Sequence, residues 1–146
     1  MGDGNVIEWK SAYSVGISTI DAQHQELINL TNCLNQACIN GTETGRVYFK
    51  KVMHELVQYV KFHFSAEEKI MERIGFPGLA EHKKEHEDFV KKVLEGVKNF
   101  ESGKAIVPNT FVRYLLDWIV THIAKTDQKY GIFIANNDLK ILPEDI

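Results

Sequence analysis

The segment HKKEH, residues 82–86, carries two histidines four positions apart with a glutamate directly before the second. As H-x-x-E-H it matches an inverted zinc-peptidase signature, in which both histidines bind the metal and the glutamate acts as the base. Two histidines at this spacing also share one face of a helix, where they can form part of a metal site that other helices complete. The choice between these two chemistries depends on the rest of the chain.

Loop signals divide the chain into four long helical segments. The loop segments, rich in glycine, proline or small polar residues, are NGTETG (40–45), GFPG (75–78) and ESGKAIVPN (101–109). Between them, helical periodicity predicts helices at residues 18–39, 46–74, 79–101 and 109–135. Residues 1–17 form an N-terminal arm, and residues 136–146 a short C-terminal tail. The pattern predicts an all-α fold, an antiparallel up-down four-helix bundle, as a single domain over residues 1–146.

The composition, with 44% apolar and 25% charged residues, is that of an ordinary soluble globular protein. A net charge of −3 gives no electrostatic basis for binding nucleic acid or an anionic membrane. No apolar run reaches the length of a membrane span, and the N-terminus lacks the regions of a secretory signal. Cys33 and Cys38 diverge by about 140° on a helix and should not form a disulfide. We expect a cytoplasmic monomer, without nucleic-acid partner or membrane insertion.

Every predicted helix places at least one histidine in its inward apolar stripe. These polar stripe residues are His24 on the first helix, His63 and Glu67 on the second, His82 and His86 on the third, and His122 on the fourth. In an up-down bundle, all of them fall in one layer near the same end. Burying so many polar groups without partners would cost several kcal/mol. Metal ions are the natural common partner, so the pattern predicts a metal site.

The remaining polar candidates point away from this layer. His54 lies nine residues before His63, which places it on the opposite face of the second helix. Glu68 and Glu85 diverge by about 100° from the stripes of their helices and are predicted to face solvent. The zinc-peptidase interpretation needs Glu85 beside the metal, so the outward position of Glu85 argues against it. A measurement of one zinc per chain would restore that interpretation.

The fourth helix has one residue too many between two polar stripe positions. His122 and Asp127 are five residues apart, which in a regular α-helix would separate their side chains by about 140°. Beyond Asp127 the stripe resumes in phase at Tyr130 and Ile134. A π turn absorbs one extra residue and aligns position i with i+5. We therefore predict a π turn between His122 and Asp127 that brings Asp127 into the metal layer.

Five imidazoles and two carboxylates are too many ligands for one tetrahedral zinc. Two six-coordinate metals, bridged by the two carboxylates and an oxide or hydroxide, would use all seven side chains and leave one position open. Nitrogen-rich octahedral coordination suits iron, without excluding manganese or cobalt. Oxygen-activating di-iron bundles use mostly glutamates and E-x-x-H motifs, which this sequence lacks. The histidine-rich set therefore favours reversible oxygen binding over oxygen activation.

The order H, H-x-x-x-E, H-x-x-x-H and H-x-x-x-x-D on four helices resembles the hemerythrins. The arm and first helix, WKSAYSVGISTIDAQHQELINLTN, resemble the bacterial members, the bacteriohemerythrins, and the resemblance covers roughly residues 7–135. It implies two iron ions bridged by an oxide or hydroxide. The implied ligands are His82, His86 and His122 on one iron, His24 and His63 on the other, and Glu67 and Asp127 as bridges.

The resemblance also implies reversible dioxygen binding, for storage, transport or delivery to an oxygen-consuming oxygenase or oxidase. Dioxygen would bind the iron of His24 and His63, in a pocket whose apolar residues could equally be plain core. The pocket residues are Leu27, Phe64, Leu115, Trp118, Ile119 and Ile123. We expect an oxygen-binding protein rather than an enzyme, at a site that is also compatible with weak oxidase or peroxidase side activity. A di-iron oxidase or peroxidase and an oxygen- or redox-sensing module on the same site remain alternatives.

Overall fold

The computed structural model describes residues 7–39, 43–101 and 108–141, and within these ranges it contains helices and no strand. The helices are α1 (Ser18–Ile39), α2 (Glu43–Arg73), α3 (Leu79–Glu101), α4 (Pro108–Thr121) and α5 (Asp127–Asn136), with a π-helical segment at His122–Thr126 between the last two. Because that segment joins α4 to α5 without interruption, the two form one long helix. The all-α four-helix bundle is confirmed, and none of the described helices is both long and apolar enough to span a membrane.

Two helices begin earlier than predicted. α2 begins at Glu43, inside the predicted loop 40–45. α4 begins at Pro108 rather than at residue 109. Proline suits the first helical position because its φ is already helical and its missing N–H would have no partner there. Residues 40–42 and 102–107 of the predicted loops lie outside the described residues.

The end of α2 sets the direction of α3. Gly75 has a positive φ of 66°, and its N–H donates to the carbonyl of Glu72 at 3.2 Å. The next N–H, of Phe76, donates to the carbonyl of Met71 at 2.9 Å, which completes a Schellman motif. Ile74, predicted to be helical, therefore lies in the turn. This short reversal places α3 beside α2 and brings the two histidines of HKKEH towards it.

The N-terminal arm is bound to the bundle through side chains of α1. The N–H of Ile7 donates to the Asn32 side-chain oxygen at 3.0 Å, and the Asn32 amide donates back to the carbonyl of Ile7 at 2.9 Å. Nearer the helix, the Asp21 carboxylate accepts from the Ser14 hydroxyl at 2.5 Å and from the N–H of Val15 at 2.9 Å. These hydrogen bonds fasten the described part of the arm to α1.

The core consists of two apolar clusters of unequal size. The larger contains most of the buried apolar side chains of α1, α2, α3 and α4, and the predicted pocket residues belong to it or, in the case of Trp118, pack against it. The smaller cluster combines the end of the arm with α1, α2 and α5, and consists of Val15, Ile17, Ile20, Ala66, Ile70, Met71 and Tyr130. Tyr130 of the smaller cluster and Phe64 of the larger one both contact a layer of buried polar side chains.

Candidate metal centre

Seven polar side chains meet in that layer, and none is more than 4% exposed. They are His24, His63, Glu67, His82, His86, His122 and Asp127. The side chains form two groups, and within each group one potential ligand atom per residue lies within 4.8 Å of the others. One group contains Glu67, His82, His86, His122 and Asp127, and the other contains His24, His63, Glu67 and Asp127. Because the two carboxylates belong to both groups, they are in position to bridge two cations.

The π turn brings Asp127 into this layer. The N–H of Asp127 donates to the carbonyl of His122, five residues earlier, which confirms the predicted π turn. As a result, Asp127 Oδ1 lies 2.9 Å from His122 Nε2. The Gln128 side chain supports the turn, since its amide donates to the carbonyl of Ile123 at 3.2 Å and to that of Tyr13 at 3.1 Å. Gln128 therefore connects the π turn to the arm, a contact that the sequence did not predict.

The contacts within the layer fit cation binding better than mutual hydrogen bonding. The Nε2 atoms of His86 and His122 face each other at 3.1 Å. His82 Nε2 lies 3.0 Å from Asp127 Oδ1, yet among the described residues neither atom has a partner with hydrogen-bond geometry. The same is true of Asp127 Oδ2 and of Glu67 Oε1. Buried polar atoms in this situation are costly, and cations would satisfy them together.

Both carboxylates are ionised. Burial and the neighbouring Asp127 oppose ionisation of Glu67, but the surrounding imidazoles hold the pKa of Glu67 well below its usual range. Burial also opposes ionisation of Asp127, and His122, His24 and His82 hold the pKa of Asp127 well below its usual range. Anionic carboxylates are the form that metal ions bind, so the centre offers two fixed negative charges to a pair of cations.

Two imidazoles balance these charges by binding protons. Burial alone would lower the pKa of His24, but the adjoining Asp127 and Glu67 carboxylates raise it to about 10. For His86, burial is likewise outweighed by Glu67 and Glu68, which raise the pKa to about 9. Burial dominates at His63 and lowers its pKa to about 4. Metal binding would therefore displace protons from His24 and His86 but not from His63.

In three imidazoles, Nδ1 points away from the layer and contacts a side chain outside it. We call this atom the outer nitrogen. The pairs are His63 Nδ1 with Gln23 Oε1 at 2.7 Å, His86 Nδ1 with Glu68 Oε2 at 2.8 Å, and His122 Nδ1 with Glu85 Oε2 at 3.3 Å. The prediction that Glu68 faces solvent is wrong, because its side chain is only 26% exposed. The prediction for Glu85 is partly wrong, because its half-exposed side chain turns its carboxylate inwards. Helical angles give the Cβ direction, whereas a flexible glutamate can reach around the helix.

Gln23 was not predicted to belong to the site. The signal available in the sequence was its position directly before His24, together with the rule that a metal-binding histidine donates its second N–H to a neighbouring acceptor. Glu85 of HKKEH also lies behind an imidazole, with Oε2 3.3 Å from His122 Nδ1. The zinc-peptidase interpretation requires this carboxylate to lie inside the layer. It lies instead at the outer nitrogen of His122. His54 lies on the surface, where its Nε2 is 3.1 Å from Glu101.

Tyr130 adds a hydrogen-bond donor to the centre. It is fully buried, and its hydroxyl donates to Glu67 Oε2 at 2.5 Å. Burial, together with the Glu67 and Asp127 charges, raises the pKa of Tyr130 well above its usual range, so the hydroxyl keeps its proton. The periodicity placed Tyr130 on the inward stripe, but its hydroxyl contact depends on the register between α5 and α2.

Aromatic rings hold the planes of two imidazoles. Phe64 stacks on His86 with ring centroids 3.7 Å apart, and Trp118 stacks on His122 with centroids 4.3 Å apart. The other predicted pocket residues, Leu27, Leu115, Ile119 and Ile123, are all buried in the larger core cluster. The layer is thus covered by apolar side chains on the side of the larger cluster, which would limit the access of water to a bound metal.

Comparison with known proteins identifies the family. The sequence profile of the hemerythrin HHE cation binding domain matches residues 15–131. The chain is 36% identical over 127 residues to a bacteriohemerythrin of Stenotrophomonas maltophilia, covering 86% of this chain and 80% of that protein. A bacteriohemerythrin of Methylococcus capsulatus is 32% identical over 127 residues, with coverage of 86% and 95%. The crystal structure of a wild-type hemerythrin matches with a TM-score of 0.80 and 31% identity, covering 87% of this chain and 96% of that one. The chain therefore belongs to the hemerythrin family.

Proposed function

We propose that this protein binds dioxygen reversibly at a di-iron centre, for storage, transport or delivery to an oxygen-consuming oxygenase or oxidase. The supporting observation is that two groups of ligand atoms of unequal size share the carboxylates of Glu67 and Asp127. The family implies a di-iron oxygen-binding domain, and the composition of the two groups agrees with one. A cytoplasmic location and a monomeric state are part of the proposal.

The side chains have distinct roles in this proposal. His82, His86 and His122 would hold one iron, His24 and His63 would hold the other, and the carboxylates of Glu67 and Asp127 would be shared by both. The group with His24 and His63 offers one imidazole fewer, which would leave room there for a small exogenous ligand. The two ferrous ions, when bound, supply the electrons that dioxygen takes up on binding and returns on release. The protein holds the metals in place and has no general acid or base for turnover in this scheme.

The apolar neighbours of the layer limit the access of water. Leu27, Leu115, Ile119 and Ile123 are at most 3% exposed, so bulk water has little access from their side. Water and protons would favour irreversible oxidation of bound metals. Excluding them favours release of oxygen unchanged. In this proposal these residues, with Phe64 and Trp118, line the oxygen pocket and determine how long the reduced centre survives.

Anaerobic iron loading followed by oxygen titration tests the proposal. We expect two irons per chain and an oxygen-dependent visible absorption band that disappears when oxygen is removed. The Asp127→Asn variant, which weakens one bridge, should lose iron and the band, whereas His54→Ala, which removes a surface histidine, should behave as the wild type. A band that persists after deoxygenation, or a stoichiometry of one metal per chain, would contradict the proposal. Sustained consumption of a reductant with oxygen or peroxide would indicate an oxidase or peroxidase instead.

A further inference from the structure

The three-histidine side of the centre is supported by two outer carboxylates. His86 Nδ1 donates to Glu68 Oε2 at 2.8 Å, and His122 Nδ1 lies 3.3 Å from Glu85 Oε2. Glu68 reaches His86 from α2, while Glu85 reaches His122 from α3. A carboxylate that accepts the outer N–H of a metal-binding imidazole raises the basicity of the opposite nitrogen and fixes the ring orientation. This side of the centre therefore receives additional negative charge.

Among the described residues, no carboxylate supports the two-histidine side in this way. His63 Nδ1 donates to Gln23 Oε1 at 2.7 Å, and an amide oxygen carries no net charge. His24 Nδ1 is buried, and none of the described residues accepts a hydrogen bond from it. The difference between the two sides therefore extends beyond the number of imidazoles to the charge of the groups behind them. Charge-assisted hydrogen bonds are roughly twice as strong as neutral ones, so this difference should be measurable.

We propose that Glu68, assisted by Glu85, makes the three-histidine site the tighter of the two metal sites and stabilises its oxidised metal, while the neutral Gln23 leaves the two-histidine site weaker and easier to keep reduced. Glu68 should contribute more than Glu85, because it is closer to its imidazole and only 26% exposed, whereas Glu85 is 50% exposed and screened by solvent. The inference rests on the proposed di-iron function. These residues act through the imidazoles and are positioning residues.

Anaerobic titration with Co²⁺ against a competing chelator measures the two sites as separate binding steps, without any oxygen chemistry. Glu68→Gln keeps an oxygen acceptor and nearly the same shape while removing the charge. We expect it to weaken the tighter step by about 10- to 100-fold and leave the weaker step unchanged. Glu85→Gln should weaken the same step less. Glu72→Gln, an exposed residue one turn further along α2, removes the same charge from the surface and should change neither step.

The complementary variant places a carboxylate on the other side. Gln23→Glu should strengthen the weaker Co²⁺ step, and combining it with Glu68→Gln should bring the two steps closer together or reverse their order. In the iron-loaded protein, Glu68→Gln should raise the reduction potential of the centre, whereas Gln23→Glu should lower it. Potentials report the charge behind the imidazoles and would not move in this opposed way if these residues only supported folding.

The outcomes separate the inference from the function on which it rests. If the wild type binds two Co²⁺ ions but Glu68→Gln has no greater effect than Glu72→Gln, the inference is wrong and the di-metal centre stands. An equal loss in both binding steps would also contradict the inference, because it would indicate a general structural effect. If the wild type does not bind two ions, both the inference and the proposed function fail.

Discussion

The N–H of Asp127 donates to the carbonyl oxygen of His122 across a π turn, and the two side chains consequently lie 2.9 Å apart. In an uninterrupted α-helix the same N–H would donate to Ile123, and Asp127 would point about 140° away from His122. The carbonyl of Ile123 instead accepts from the Gln128 side chain. The position of one of the two carboxylates shared by both groups of potential ligands therefore depends on a single extra residue in the last helix.

Changing the number of residues in the π turn should show whether metal binding depends on the position of Asp127 relative to His122. Deleting the exposed Lys125 leaves His122 and Asp127 four residues apart, which in a regular α-helix keeps both on one face. We expect this variant to retain binding of two Co²⁺ ions. Inserting one alanine after Lys125 should rotate Asp127 by about 100° and reduce the bound metal below two ions. Metal loss in the deletion variant together with full binding in the insertion variant would show that this interpretation is wrong.

Replacing either of two glycines by alanine should destabilise the protein, but a second substitution should restore stability in only one case. A Cβ at Gly131 would lie 2.9 Å from the carbonyl oxygen of Val15, which is backbone, whereas a Cβ at Gly96 would overlap the ring of Phe111. Both replacements should cost about 1–3 kcal/mol in the free energy of unfolding, despite the better helix propensity of alanine. Urea unfolding should show that Phe111→Leu restores much of the loss in Gly96→Ala. A smaller side chain at Val15 should not restore the stability lost in Gly131→Ala, because the overlapping atom is in the backbone.

Removing the Tyr130 hydroxyl should destabilise the protein. Tyr130→Phe deletes the donor to Glu67 and leaves that buried carboxylate with one hydrogen bond fewer. The expected cost is about 1–3 kcal/mol in the free energy of unfolding, measured by urea denaturation of the metal-free protein. Tyr114→Phe, at a half-buried position on α4, is the matched control and should cost less. Equal stability of the two variants would mean that the Tyr130 hydroxyl does not support Glu67.

The metal-free protein should lose stability at alkaline pH. The pKa of His24 is raised from 6.5 to about 10, and that of His86 from 6.5 to about 9. Raised pKa values mean that these protons stabilise the folded state fully below pH 6.5 and that this stability is lost as the pH rises through 9 and 10. Urea unfolding across this range should show the decline, and His24→Gln should flatten it. Metal loading should also abolish it, because metal replaces the protons.

At acid pH, His63 makes the folded state less stable as the pH falls, the opposite pH dependence to that of His24 and His86. Its pKa is lowered from 6.5 to about 4, so the unfolded chain binds a proton there more readily than the folded one. The stability that results is present above pH 6.5 and is lost as the pH falls through 4. When the free energy of unfolding, measured with urea, is plotted against pH, its decline on the acid side should therefore be less steep in His63→Gln. An unchanged acid limb would indicate that folding does not shift the pKa of His63.

Several features of the site could be predicted from local patterns. Histidines at helical spacing in apolar stripes identified the buried layer, because a 3.6-residue period determines which positions share a face. The π turn could be predicted because the stripe after His122 resumes one residue out of phase, at Asp127. Those patterns depend on neighbouring residues along one helix, so no tertiary information was needed. The same reasoning gave the all-α bundle.

Contacts between helices could not be obtained in this way. Periodicity predicted that Glu68 and Glu85 face solvent, but Glu68 reaches His86 on another helix and Glu85 reaches His122. The bond from Tyr130 to Glu67 and the contact of Gln128 with the arm likewise join segments distant in sequence. The sequence by itself determined which residues face inwards, because helical geometry is local. Only the tertiary structure decided which side chains support each imidazole. The conformer that a long flexible side chain adopts depends on the neighbours that helix packing places within its reach.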